Sequence, residues 1–287
     1  MKSFIPQTMA TLLRRLDAAL AGALTGRGPE HVHRMRVTCR RLRNAVKVFR
    51  PFLPPARSLA WDQSLRRLAK LSGQARDLDV HILFLQDYLL RLTSGKERPA
   101  AEGLLKHIQK QRRGLQPRLA LAITRFRKDR TAAAIRRHLK TLPSLPQAKD
   151  KRFLSGLAGR KISKRLKKLL SFEPHVGNPR LSKQLHRTRI AAKHLRYTLE
   201  AFRPLYGRRA DPFIGSALKI QRVLGGLHDL DVWDAELSRF SGRRALGDLR
   251  RHCRQARAGR YGTFIRFWKR CRRDKTWSRL ARLAEAS

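Results

Sequence analysis

His-Arg-Met-Arg-Val-Thr-Cys-Arg-Arg-Leu-Arg-Asn-Ala-Val-Lys-Val-Phe-Arg-Pro, residues 33–51, returns in altered form at residues 186–204 as His-Arg-Thr-Arg-Ile-Ala-Ala-Lys-His-Leu-Arg-Tyr-Thr-Leu-Glu-Ala-Phe-Arg-Pro. An offset of 153 lays His33 on His186, Arg36 on Arg189, Arg40 on Lys193 and Arg43 on Arg196, with Leu42 on Leu195 and Phe49 on Phe202. A second pair follows at an offset of 152, where Arg76-Asp77-Leu78-Asp79-Val80 matches His228-Asp229-Leu230-Asp231-Val232. Two matches in the same order at nearly one spacing point to a tandem duplication.

The duplicated unit has the period of a helix. At about 100° per residue, Met35, Cys39, Leu42, Val46 and Phe49 fall on one stripe, and His33, Arg36, Arg40, Arg43 and Lys47 on another. Arg34 and Arg41 take a third direction, expected to face bulk water. The second copy repeats the layout, with Thr188, Ala192, Leu195, Leu199 and Phe202 apolar and His186, Arg189, Lys193 and Arg196 basic. Glu200 stands where the first copy has Lys47, so the second ladder is shorter or internally paired at that end. A cation on every turn, about 5.4 Å apart, is a ladder of phosphate ligands. A face kept only for solubility would mix signs.

Composition supports a polyanionic partner. Lys and Arg number 67 against 20 Asp and Glu, a formal net charge of +47 over 287 residues. Such an excess opposes compaction through self-repulsion, and nucleic acid, an anionic membrane or an inorganic phosphate polymer would relieve it. Hydrophobic content of 41% suffices for a core. Cys39, Cys253 and Cys271 lack disulfide or metal-ligand spacing, which points to a reducing cytoplasm. Arg14, Arg15 and Asp17 interrupt the N-terminal apolar residues, so no secretory signal is expected, and no apolar run is long enough to span a membrane.

Helix signals run the length of the chain, predicting an all-α fold with helices at 5–25, 29–51, 56–75, 78–93, 98–115 and 118–141. In the second half they are expected at 150–172, 179–204, 212–226, 229–241, 243–258 and 260–284. Gly28-Pro29, Asn178-Pro179 and Asp211-Pro212 read as helix starts. The two prolines in Thr141–Asp150 mark a linker at 142–149 between bundles at 1–141 and 150–287. Short connections within each half favour antiparallel packing.

Three side-chain groupings bear on chemistry. Asp77/Asp79 and Asp229/Asp231, the duplicated carboxylates, diverge at i,i+2 on a helix; beside Gly73 and Gly225-Gly226 they suit caps or partners for ladder arginines better than a Mg²⁺ site. His33 and His186 head the ladders as phosphate donors, and no carboxylate–histidine cluster makes them metal ligands. Bases stack on aromatics interleaved with cations, yet Phe49 and Phe202 belong to the apolar stripes. Tyr261–Trp268 is the one region where an RNA contact competes with a core assignment.

The two basic helices, with Arg-Asp-Leu-Asp-Val and His-Asp-Leu-Asp-Val downstream, resemble the CHAD family, the conserved-histidine α-helical domain. The resemblance implies two pseudo-symmetric four-helix bundles around a basic central cleft that binds inorganic polyphosphate. It carries phosphate contact onto His33, Arg36, Arg40 and Arg43, and onto His186, Arg189, Lys193 and Arg196. Lys47 extends the first ladder, and Lys70, Arg76, Lys219, Arg222 and His228 are additional candidates. Thr38 and Cys39 stand where the family usually has alanine or threonine. The CYTH triphosphatase barrel that precedes the module in some members is not expected, because the module begins at the first residues.

The expectation is therefore a non-enzymatic, cytoplasmic polyphosphate binder without cofactor or metal, with polyphosphate granules as an implied location. Non-specific nucleic-acid binding is the alternative that the same charge permits. An enzyme of phosphate metabolism using a histidine is the third reading, and it lacks a Walker-type loop, a catalytic triad or a converging acid pair.

Overall fold

Leucine, alanine, arginine and lysine, all good helix formers, dominate the chain, and their apolar members recur at helical spacing. The computed structural model describes residues 4–26, 28–92, 97–142, 148–239 and 246–285, and the described residues form an all-α fold without strands. The helices are α1 (Phe4–Leu24), α2 (Pro29–Val48), α3 (Pro55–Arg91), α4 (Arg98–Lys128), α5 (Thr131–Thr141), α6 (Ala148–Leu170), α7 (Ser182–Tyr206), α8 (Asp211–Arg239), α9 (Gly247–Arg273) and α10 (Thr276–Glu285). The chain divides into two compact units, Met1–Pro146 and Gln147–Ser287. Residues 143–147 of the expected linker lie outside the described residues.

In the first unit α2 packs on α1 and α3, and α3 on α4. Arg36 meets Asp77 and Arg43 meets Asp62, so α2 and α3 run antiparallel. Tyr88 Oη donates to Glu97 and Thr131 Oγ to Ser64, which sets α4 and α5 back along α3. Gln116 Nε2 donates to the carbonyls of Ala23 and Leu24, satisfying C-terminal acceptors that α1 cannot bond internally. Met9, Leu13, Leu16, Met35, Leu42, Leu65, Leu85, Leu119 and Ile123 form the interior. Burying each such side chain contributes about 1.5–3 kcal/mol.

The second unit packs α6 on α7, α7 on α8 and α8 on α9, with α10 against α6, α8 and α9. His186 against His228 and Arg203 against Asp211 make α7 and α8 antiparallel. Ile162, Leu169, Leu195, Leu199, Ile220, Trp233, Phe264, Trp268 and Leu280 are buried.

The structure corrects several expected boundaries. The breaks expected at 75–78 and 226–229 do not occur, since α3 runs 37 residues and α8 29. Asp in a helix interior tends to compete for nearby backbone donors. Here Asp77, Asp79 and Asp231 are each taken by an arginine of a neighbouring helix, which removes that competition. They are mid-helix ion-pair partners, not caps. Gly226, inside α8, leaves room for the Arg260 guanidinium of α9; a methyl there would sit 2.8 Å from Cζ.

Pro117 lies inside α4 instead of ending it, and the chain turns at Arg130, in the left-handed region at φ 48°. Likewise α9 continues through Gly259 and Gly262, and the turn comes at Lys275, φ 49°. Asn178-Pro179 does not start α7; the Asn178 carboxamide accepts from the Arg180 amide in a turn, and the helix begins at Ser182. Asp211 is itself helical and anchors Arg203 through two bonds of 2.6 and 2.9 Å.

Candidate anion-binding site

The apolar stripe of α2 is buried throughout: Met35, Cys39, Leu42 and Phe49 are fully enclosed and Val46 nearly so. Burial pushes the Cys39 thiol up to about 12, so it acts as a small hydrophobe. With that stripe facing the core, the basic stripe runs along the groove that α2 forms with α3. Arg36 Nη1 donates to the Gly73 carbonyl at 3.0 Å and to Asp77 at 2.6 Å. Arg43 grips Asp62 through Nε and Nη2 at 2.8 and 3.3 Å, and Lys47 Nζ lies 3.6 Å from the same carboxylate. A guanidinium has five N–H donors. Each of these arginines spends two on its tether, and the remaining donors are held in a fixed plane. Asp62, which clamps two rungs, drew no attention in the sequence; its one signal was an isolated acid in a basic helix.

At the head of this ladder His33 is half-buried, and its pKa is lowered by burial and then by the nearby charge of Arg76, against a smaller raising effect of Glu30. Arg76 of α3 is near enough for its charge to be felt at His33. Lys70, exposed, is seven residues before Asp77 and so shares its side of α3.

On α7 the apolar stripe is again buried, with Thr188, Ala192, Leu195, Leu199 and Phe202 all enclosed. His186 lies against His228 of α8, ring centroids 4.0 Å apart. Burial, followed by the charges of His228, Arg189 and Lys193, lowers the His186 pKa to about 4. Its Nδ1 is buried without a hydrogen-bonding partner among the described residues. Arg196 is only 6% exposed, lies over the Tyr197 ring at 4.5 Å, and pairs with Glu200 at 3.4 Å. The rung nearest Glu200 is thus enclosed and internally paired, while His186, Arg189 and Lys193 are half-buried. Arg222 is exposed seven residues before Asp229, as Lys70 is before Asp77. Lys219 is directed elsewhere: its Nζ lies 4.5 Å over the Phe267 ring of α9.

The second carboxylate of each duplicated motif ties a different helix. Asp79 receives Arg112 of α4 at 2.7 Å, and Asp231 receives Arg257 of α9 at 2.5 Å. Arg257 also donates to the Pro179 carbonyl and the Ser182 hydroxyl. Neither arginine stood out in the sequence, because single cations among 67 carry no signal of their own. Within Tyr261–Trp268, Phe264 and Trp268 are core, in ring contact at 5.8 Å, and the half-buried Tyr261 donates its hydroxyl to the Val176 carbonyl. Among the described residues no group of three or more His, Cys, Asp or Glu could hold a metal ion, and no helix is long and apolar enough to cross a membrane.

An all-α chain with basic helices in this setting has known counterparts. The family model of the CHAD domain matches residues 7–238, and the chain belongs to that family. Its structure is similar to the crystal structure of the CHAD domain from the plant Ricinus communis, with 24% identity and a TM-score of 0.64 over 99% of this chain and 91% of that one. It is also similar to PptA from Streptomyces chartreusis, with 17% identity and a TM-score of 0.60 over 93% and 98% of the two chains. These two likenesses concern the fold. Among curated proteins none matches.

Proposed function

We propose that this protein binds inorganic polyphosphate, without turning it over, through His33, Arg36, Arg40, Arg43 and Lys47 of α2 and His186, Arg189 and Lys193 of α7, with the enclosed Arg196 closing the second ladder against Glu200. One observation carries the reading: Arg36 is held by the Gly73 carbonyl and Asp77, and Arg43 by the two oxygens of Asp62, so their other donors are oriented before a ligand arrives. Preorganised donors spare the ligand the entropy of ordering them. Membership of the CHAD family, in which polyphosphate binding is the known role, supports the same ligand. On the ladder helices Phe49 and Phe202 are buried and offer bases no platform, which favours a phosphate chain over nucleic acid there. Binding without catalysis is supported by the occupation of Asp77, Asp79 and Asp231 by arginines, which leaves these carboxylates poorly placed to activate water. A duplication that left a ladder on α2 of the first unit and another on α7 of the second completes the proposal.

The test is competition at several salt concentrations. Affinity for long-chain polyphosphate should fall steeply with salt, as for any ligand that meets several cations. The polymer should displace single-stranded RNA far more readily than RNA displaces it. The opposite order at physiological salt would assign the chain to nucleic acid, and phosphate released during long incubation with Mg²⁺ would make it an enzyme.

A further inference from the structure

The ladder helices carry a concavity on another of their faces. In the second unit α6, α7 and Phe172 just beyond α6 border an open cavity of about 400 Å³ lined by Arg165, Lys168, Phe172, Arg187, Ile190, Ala191 and His194. On α7, positions 187, 190, 191 and 194 are centred roughly 130° from the ladder. The first unit has a hollow between α1 and α2 whose lining includes Arg34, Val37, Thr38 and Arg41, the positions that align with those four, and also the ladder head His33. Arg34 and Arg41, expected to face bulk water, are walls of this hollow, and Arg41 is half-buried.

The two hollows differ in charge. Glu30 lines the first and pairs with Arg34 at 3.0 Å. In the second, none of the described lining residues is acidic, and Arg165, Lys168 and Arg187 are permanently charged. Its apolar lining is Ile190, Ala191 and Phe172, with the Lys168 ammonium 4.9 Å over the Phe172 ring. Concave sites of about 300–1,000 Å³ with apolar walls and a few convergent charges are typical of small-ligand pockets. A bare phosphate would leave the apolar lining uncovered, and an uncharged body would leave the cations unanswered. Three fixed cations also favour a dianionic phosphate over a single carboxylate.

We propose that the α6–α7 cavity binds an organic phosphomonoester of nucleotide size, its phosphate among Arg165, Lys168 and Arg187 and its organic body on Ile190, Ala191 and Phe172. This site is separate from the ladder and does not depend on the polyphosphate reading.

Titration calorimetry of the full chain with AMP, adenosine and orthophosphate tests it. AMP should bind saturably at one site, and adenosine and orthophosphate much more weakly. Arg187→Ala, at an exposed position, should weaken AMP by about tenfold, as expected for one charge-assisted hydrogen bond. The same variant should hold polyphosphate affinity within about twofold, and Arg36→Ala with Arg189→Ala should leave AMP equally unmoved, as for independent sites. AMP affinity lost in the ladder variant but kept in Arg187→Ala would place the nucleotide on the ladder and overturn the assignment. Orthophosphate binding as tightly as AMP would remove the role of the apolar lining, and no saturable AMP heat would remove the site.

Discussion

Arg36 and Arg34 are two residues apart on α2 and have opposite surroundings. Arg36 is tethered in the α2–α3 groove at 21% side-chain exposure, whereas Arg34 is 64% exposed and paired with Glu30 one turn away. An exposed i,i+4 pair contributes a few tenths of a kcal/mol. Arg36→Ala combined with Arg189→Ala should therefore weaken polyphosphate binding by about 2–5 kcal/mol, taking roughly 1.5–3 for each charged hydrogen bond. Arg34→Ala combined with Arg187→Ala should cost far less, and calorimetry of the two double variants side by side decides whether the ladder faces are rightly assigned. His186 supplies a pH test. Its folded-state pKa of about 4 lies below the ordinary 6.5, so the unfolded chain takes up the proton first. Its contribution to stability is present above pH 6.5 and is lost as pH falls toward 4, and His33, shifted the same way, adds to the loss. Bound polyanion reverses the local field and raises both values, so binding should tighten as pH falls through this window. NMR titration of the His186 ring should show a midpoint near 4 in the free protein and a higher one with polyphosphate.

At the scale of elements, the Asp-Leu-Asp motif holds helices together with carboxylates of unequal burial. Asp79 and Arg112 are 7% and 14% exposed, while Asp77 is 65% exposed. Removing Asp79 strands an enclosed guanidinium, and Asp79→Ala should destabilise by about 3 kcal/mol. Asp77→Ala should cost below about 1 kcal/mol of stability, since its pair is open to solvent. Urea unfolding of both variants checks the contrast, and equal losses would show that α4 is not held at Asp79. A second contact of this kind is the docking of α10 on α6. A methyl at Gly159 would strike the backbone carbonyl of Ala284, which a side-chain rotation cannot relieve. Gly159→Ala should therefore destabilise by about 1–3 kcal/mol despite its better helix propensity. A gain in urea midpoint would show that α10 yields easily.

For the whole molecule the dominant quantity is the net charge of +47. Repulsion among so many cations opposes the folded state. A polyanion that binds only the folded chain opposes that strain, stabilising by roughly 4 kcal/mol at a thousandfold excess over Kd. The melting temperature should rise sharply with long-chain polyphosphate and only modestly with the same phosphate as orthophosphate, which lacks linked charges to span successive rungs. Equal stabilisation by the two would indicate isolated anion sites rather than a ladder.

The all-α class, the core stripes of α2 and α7 and the polycationic character were legible in the sequence because each rests on local periodicity or on summed charge. Met35, Cys39, Leu42 and Phe49 are buried where a 100° step places them. Helix ends were less legible. Gly73, Asp77 and Asp79 look like punctuation to any local reading, and only arginines 33 to 41 residues away keep α3 unbroken through them. Tertiary structure alone decided that Asp62 clamps Arg43 and Lys47, that Arg196 is enclosed, and that a hollow opens beside Arg187, whereas the pairing of the second ladder at Glu200 was already legible in the sequence. Sequence periodicity determines which side of a helix a residue occupies. What stands opposite that side depends on the packing of other helices, and pairing energies between residues far apart in the chain leave no periodic trace.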